Sequence, residues 1–403
     1  MRNDATVIAL ISFAHGMSHF YQLLLAPLFP FIKDELGVSY AALGFVVALF
    51  YTLSGLFQPL AGFVVDRYGA RSVLLGGVAL LIGGAFVQGM AGNYAMLALG
   101  AALTGIGNSV FHPADFAILN ARVSAPRLGY AFSAHGVLGY VGYAVAPVFS
   151  VAIGAAYGWQ TALLSGAAIG FVLLLLLLVN TRHLEIQLHT ARARGKTSFS
   201  TDARVLLAGP VLLCFLYFMV FAAGLTGLQS FGVSALVEQF GVAATAASSA
   251  LTAYLVSASL GIFAGGFVAA RATRHDMVAA AGLAVNALGI LLIAMNQVPH
   301  AAIPAALAIA GFASGVVAPS RDLIVRASTP PGATGRVFGF VYSGLDVGSF
   351  VTPVFYGWML DHHLPHGVFY SVFAFTALAI LTVLQLPGRA SAVVRDIAPV
   401  KKA

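Results

Sequence analysis

Twelve long apolar runs, each near the length of about 20 residues that a helix needs to cross a lipid core, constrain this chain more than any other feature. They cover residues 6–31, 40–65, 72–91, 94–121, 129–156, 159–180, 205–231, 243–270, 277–296, 300–325, 335–360 and 366–386. Turn or charge signals separate them. With 60% hydrophobic and 8% charged residues, the chain has too few charges to cover a soluble surface. Its 44 glycines and 16 prolines suit membrane helices, where neighbouring helices re-satisfy a broken backbone ladder. The reading is an all-α membrane protein with twelve transmembrane helices.

The first run follows a polar Arg2-Asn3-Asp4, carries His15 and His19, and is longer than a signal peptide, so it reads as a retained helix. A single cysteine, Cys214, excludes an intramolecular disulfide, thiolate zinc sites and iron-sulfur clusters. The net charge of +7 does not point to nucleic acid, because the basic residues are scattered between apolar runs and form no stripe with interleaved aromatics.

Short basic loops face the cytoplasm. With the N-terminus inside, 18 of the 20 lysines and arginines fall on the cytoplasmic side; Lys33 alone lies in an outer loop and Arg321 lies within a span. An even number of spans with both termini inside fits this split. The expected location is a bacterial-type inner membrane, crossed many times.

The chain also repeats itself. Leu36-Gly37-Val38 and Ala61-Gly62-Phe63-Val64 return 204 residues later as Phe240-Gly241-Val242 and Gly265-Gly266-Phe267-Val268. Pro113, Gly129, Gly142 and Pro147-Val148-Phe149 return 206 residues later as Pro319, Gly335, Gly348 and Pro353-Val354-Phe355. Six spans per copy put the copies in the same orientation, a parallel 6+6 repeat of two six-helix bundles. The expected domains are residues 1–180, a cytoplasmic linker over 181–204, and residues 205–403 ending in a short cytoplasmic tail.

Between the second and third spans, Gly62-Phe63-Val64-Val65-Asp66-Arg67-Tyr68-Gly69-Ala70-Arg71 resembles the G-x-x-x-D-R-x-G-x-R signature of the major facilitator superfamily. The resemblance covers the whole chain and implies that superfamily's fold and a secondary transporter. It assigns Gly62, Asp66, Arg67, Gly69, Arg71 and Arg122 to gating: Asp66 would meet Arg122 and the positive N-terminus of the eleventh helix near Gly335, latching the inner gate. The second copy has Ala270 where Asp66 stands. In the fourth span, Gly105-Ile106-Gly107-Asn108-Ser109-Val110-Phe111-His112-Pro113 looks like a segment of the fosmidomycin-resistance type of exporters, and His19-Phe20 ahead of Pro27 and Pro30 is similar too. Exporters often carry a fuller glycine-proline signature in the fifth span, reduced here to Gly142 and Ala146-Pro147, so import of a small carboxylate stands beside export.

Ionisable side chains inside a span are expensive and mark a pathway. His15 and His19, four apart, share a helix face with Gln22; His112 and Asp115, three apart, share another. His135, Arg321, Asp322 and Asp346 complete the candidate substrate and proton pathway. Three chemistries compete: a proton relay through histidine or carboxylate, an anionic substrate held by the guanidinium of Arg321, and a transition metal on His15, His19, His112 and Asp115. For each residue the bland alternative is a hydrogen bond to a neighbouring helix. His362, His363 and His366 read as solvating an outer loop, and Gly76-Gly77 and Gly83-Gly84 as close-packing sites. Spans one, four, seven and ten are expected to line a central cavity, with Tyr21 and Phe116 on its apolar wall.

The sequence has no P-loop, G-x-S-x-G or H-E-x-x-H. The expectation is therefore a transporter and no enzyme, monomeric, without cofactor or resident metal, whose partners are a small molecule, protons and lipid.

Overall fold

The computed structural model describes residues 2–186, 205–330 and 334–386, and every regular element among them is helical. Twelve helices are long and apolar enough to span: α1 Asp4–Leu36, α2 Tyr40–Tyr68, α3 Ala70–Gly89, α4 Tyr94–Arg122, α5 Ala125–Tyr157, α6 Trp159–Val179, α7 Gly209–Phe240, α8 Ala244–Arg271, α9 His275–Ala294, α10 His300–Ala327, α11 Val337–Asp361 and α12 Pro365–Leu384. These match the twelve expected runs. The main differences are in α1 and α7, which continue past residues 31 and 231 to Leu36 and Phe240.

The interruptions in these helices have local causes. In α1 the α-helix stops at Leu24 and resumes at Phe29, around a tight turn over Ala26–Leu28 that holds Pro27. In α4 it stops at Asn108 and resumes at Phe111. Pro113 lacks the N–H that would bond the carbonyl of Ser109, and its ring crowds that carbonyl, so the ladder breaks one turn earlier. The break re-aims the turn that carries His112 and Asp115. Residues Gly227–Phe231 of α7 form a π-helical turn, and Pro353 restarts α11 after Thr352.

The chain divides into two compact units. The first contains α1–α6 together with Gln229–Thr252 and Pro353–Leu364. Its interior is set by glycines at helix crossings. A Cβ on Gly142 of α5 would overlap the carbonyl of Gly16 on α1, so the two backbones touch there. A Cβ on Gly105 of α4 would lie 2.6 Å from the carbonyl of Phe50 on α2. Gly77 and Gly84 of α3 face α4 with no room for a methyl group, whereas Gly76 and Gly83 have nothing within 4 Å. Each expected glycine pair thus supplies one packing residue.

The second unit is formed by the remainder of α7–α12 and repeats these crossings. Gly348 of α11 abuts the carbonyl of Met219 on α7, and Gly311 of α10 abuts that of Tyr254 on α8. Its core packs Cys214, Tyr217 and Phe218 against Val317, Ile324, Val341 and Val383. Of the expected linker, Thr181–Leu184 is a short helix; residues 187–204 and the tail from 387 onward lie outside the described residues.

Candidate functional site

The α1–α5 crossing at Gly16 and Gly142 holds two polar faces together. His15 and His19 look from α1 toward His135 on α5, and the broken α4 brings in His112 and Asp115. Asp115 is fully buried, and His15 and His135 are each 4% exposed. His135 Nε2 lies 3.0 Å from Asp115 Oδ2 and donates to it. His15 Nδ1 lies 3.5 Å from the same oxygen. The His15 ring stacks on that of His135, centroids 3.5 Å apart and planes 16° apart. His19 and His112 meet the His15 ring edge-on, at 4.4 Å and 5.2 Å between centroids.

A buried carboxylate without partners would cost several kcal/mol in this setting. Two imidazole nitrogens, at 3.0 and 3.5 Å, face one oxygen of this carboxylate. The other oxygen, Asp115 Oδ1, has no hydrogen-bond partner among the described residues.

Several neighbours were not legible in the sequence. His112 Nδ1 donates to Gln58 Oε1 of α2 at 3.4 Å. Gln22 donates to Asn108 Oδ1 at 3.1 Å and accepts from the Tyr143 hydroxyl, while Asn108 donates to Ser54 Oγ at 2.8 Å. Gly139 on α5 leaves the space that His15 and His19 use: a Cβ there would lie 3.0 Å from His15 Nε2 and 3.5 Å from His19 Cε1. Gln58 and Tyr143 were available as polar residues inside apolar spans, whereas nothing marked Gly139 among 44 glycines.

The second unit holds the other candidates. Arg321 Nε donates to Asp322 Oδ1 at 3.1 Å, and the Tyr342 hydroxyl donates to the same oxygen at 2.8 Å. The guanidinium of Arg321 lies 4.6 Å over the Phe218 ring, a cation–π contact. Asp346 is one turn beyond Tyr342 on α11. The polar residues thus form two local groups, one per unit. Asp115 and Arg321, at matching places in the repeat, each have partners within their own unit.

Other expectations are refined. Tyr21 is 5% exposed, its hydroxyl donates to Gly166 O of α6 at 2.9 Å, and it lines a pocket with Gln22, Phe50 and Thr104. Phe116 is 41% exposed. His366 caps a helix instead of solvating a loop, its Nδ1 donating to Ala294 O at the end of α9 (3.0 Å). In the gating motif, α2 ends at Tyr68 and Gly69 turns the chain at φ +86. Gly62 has nothing within 4 Å of an added Cβ. Arg67 lies over the Tyr68 ring at 5.6 Å, and Arg71 pairs with Glu185 at 3.5 Å. Asp66 is exposed, and Arg122 donates to Arg182 O at 3.2 Å, so the Asp66–Arg122 contact is not formed here.

Within the described residues, two groups have ligand atoms close enough for a metal: His15, His19 and His112, and His15, Asp115 and His135, each with atoms within 4.8 Å of one another.

Twelve spanning helices, repeated crossings and buried polar groups inside each unit define a polytopic membrane protein of the transporter class. The chain belongs to the Major Facilitator Superfamily, whose sequence profile matches residues 8–236 and 223–401. It is 25% identical over 400 residues to the fosmidomycin resistance protein of Escherichia coli K12, covering 96% of this chain and 94% of that protein. Over 146 residues it is 27% identical to a multidrug resistance protein B homolog of Mycobacterium tuberculosis, covering 36% of this chain and 26% of that one. In fold it is similar to the nucleoside transporter NupG, with a TM-score of 0.76 at 15% identity over 95% of this chain and 98% of that one. A bacterial homolog of the human lysosomal transporter Spinster gives 0.77 at 18% identity over 95% and 98%. Both fold neighbours are named as transporters or homologs of one, and the chain is a multi-pass membrane transporter of that family.

Proposed function

We propose that this protein is a proton-coupled secondary transporter that exports a small organic compound from the cytoplasm by alternating access. The observation that carries the reading is the fully buried Asp115 sharing one oxygen between His135 and His15. Adding or removing one proton there changes the charge of an apolar interior by one unit, which biases whichever conformation best tolerates that charge. The two six-helix halves rock about a central site near the bilayer midplane. Arg321, cushioned by Phe218, favours a compound with an anionic group. The latch of Asp66 with Arg122 and the start of α11 belongs to the state in which the cytoplasmic side is shut.

The membrane is a bacterial-type inner membrane, the protein acts as a monomer, and both termini face the cytoplasm. Tags placed after Lys196 and after Ala403 should both report from inside; either one outside would overturn the topology.

Fosmidomycin is the first probe, because the relative matched along nearly its whole length is named for resistance to it. Purified protein in proteoliposomes should accumulate labelled fosmidomycin when a pH gradient is imposed and lose that accumulation when an uncoupler collapses the gradient. Gradient-independent accumulation would contradict proton coupling. Uptake in whole cells in place of lowered content would favour the second reading, import of a small carboxylate, which Arg321 would serve equally well.

A further inference from the structure

The three imidazoles of His15, His19 and His112 converge in a way that the proton reading leaves unused. Both ring nitrogens of His19 are shut off from solvent and have no hydrogen-bond partner among the described residues. His15 Nδ1 likewise lacks a hydrogen bond, with the Asp115 carboxylate 3.5 Å away. Buried polar nitrogens without partners are rare and costly, so a site with several of them is incomplete as it stands.

From these contacts we propose that His15, His19 and His112 bind one borderline divalent transition-metal ion of the zinc or cobalt type. Their ligand atoms already lie within 4.8 Å of one another. Ligands at about 2.0–2.1 Å in a tetrahedron stand about 3.4 Å apart, so rotamer adjustments of an ångström or so close the set. The rings of His19 and His112 each stand at 62° to that of His15 and do not stack on it. The alternative set of His15, Asp115 and His135 is less suited. Its carboxylate oxygen already accepts from His135, and its two rings are stacked on one another.

Two of the three ligands also stand beside the kind of outer partner that metal-binding histidines use. Gln58 Oε1 accepts from His112 Nδ1 at 3.4 Å, leaving Nε2 with its lone pair. The Asp115 carboxylate lies 3.5 Å from His15 Nδ1, outside a formed hydrogen bond but placed to become the outer partner of that ligand when the ring adjusts onto an ion. Gly139 completes the site by having no side chain: a Cβ would lie 3.0 Å from His15 Nε2, where the ion would sit. Three imidazoles leave a fourth position for water, and the donor set favours zinc or cobalt over calcium or magnesium. Metal binding goes beyond proton coupling at Asp115, and neither requires the other.

The test is titration of the full-length protein, purified without a polyhistidine tag, with Co²⁺ followed by its visible absorption and with Zn²⁺ by calorimetry. The expected result is saturable binding of one ion per chain with tetrahedral cobalt bands. Affinity should fall at least tenfold in His19→Ala and His112→Ala, and also in Gly139→Ala, which removes no ligand. His362→Ala combined with His363→Ala should leave it unchanged. Thermal unfolding of each variant, and His19→Gln as a milder substitution, separate lost ligation from lost fold. Absence of stoichiometric binding, or binding undiminished in the His15, His19 and His112 triple variant, would overturn the site. Gradient-driven accumulation of fosmidomycin by metal-free protein would persist in that case, so failure of the metal site is distinguishable from failure of the transport reading.

Discussion

Asp361, the last residue of α11, caps α2: its carboxylate accepts the backbone N–H of Tyr40 at 2.7 Å, and its second oxygen accepts that of Ala41 at 2.8 Å. A helix N-terminus presents unpaired N–H groups and a partial positive charge, so a carboxylate there is doubly favoured. The neighbourhood is tight, because Gly357 abuts the Tyr40 carbonyl and the Tyr40 hydroxyl donates to Glu238 at 3.1 Å. All of these residues belong to the first unit. Span parity puts the contact at the membrane face opposite the termini, where it joins segments from both sequence repeats.

Removing the cap should loosen that end. Asp361→Ala is expected to lower stability by about 1–2 kcal/mol, and Asp361→Asn by less, since an amide oxygen still accepts. Thermal unfolding in detergent is the check. Equal midpoints for wild type and Asp361→Ala would mean that the cap contributes nothing.

Neighbouring glycines on α3 should behave oppositely. A methyl group on Gly77 would overlap Val110 Cγ2 and lie 2.9 Å from the carbonyl of Gly107, whereas one on Gly76 meets nothing within 4 Å. Gly77→Ala is expected to cost about 1–3 kcal/mol through overpacking. Gly76→Ala should be neutral or slightly stabilising, because alanine is the better helix former. Comparable losses from both would show that the α3–α4 crossing is looser than described.

Much of this architecture was legible in the sequence. The twelve spans followed from hydropathy and length, and the 6+6 repeat from Gly142 with Gly348 and Pro113 with Pro319, which occupy corresponding places in the two copies. The gathering of His15, His19, His112, Asp115 and His135 was only half legible. Helical spacing put His15 with His19 and His112 with Asp115, but which helix faced which depended on backbone contact at Gly16 and on the α4 break. Asp361, Gln58 and Gly139 stayed hidden because their roles depend on partners far away in the chain. The bond of Tyr21 to Gly166 was hidden for a similar reason, since nothing in an apolar span shows which neighbouring carbonyl a tyrosine hydroxyl will reach.

Repeat symmetry alone suggests that Asp115 and Arg321 attract one another across a gap. The structure gives each a partner in its own unit: His135 for Asp115 at 3.0 Å, and Asp322 for Arg321 at 3.1 Å. Local partners that persist through the transport cycle give additive losses of transport on charge reversal, with no recovery in the double variant of Asp115→Arg and Arg321→Asp. Recovery in the double variant beyond additivity would instead establish a functional pair.

The central claim is that Asp115 carries the coupling proton. Asp115→Asn keeps the shape and a hydrogen-bonding oxygen for His135 but cannot gain or lose a proton. The most direct measurement compares this variant with wild type in proteoliposomes, following both exchange of the labelled test compound at equilibrium and its accumulation against a gradient driven by imposed pH. Exchange needs no net proton movement and should continue within a few-fold of wild type, while gradient-driven accumulation should fall at least tenfold. Accumulation by Asp115→Asn equal to that of wild type would contradict the account.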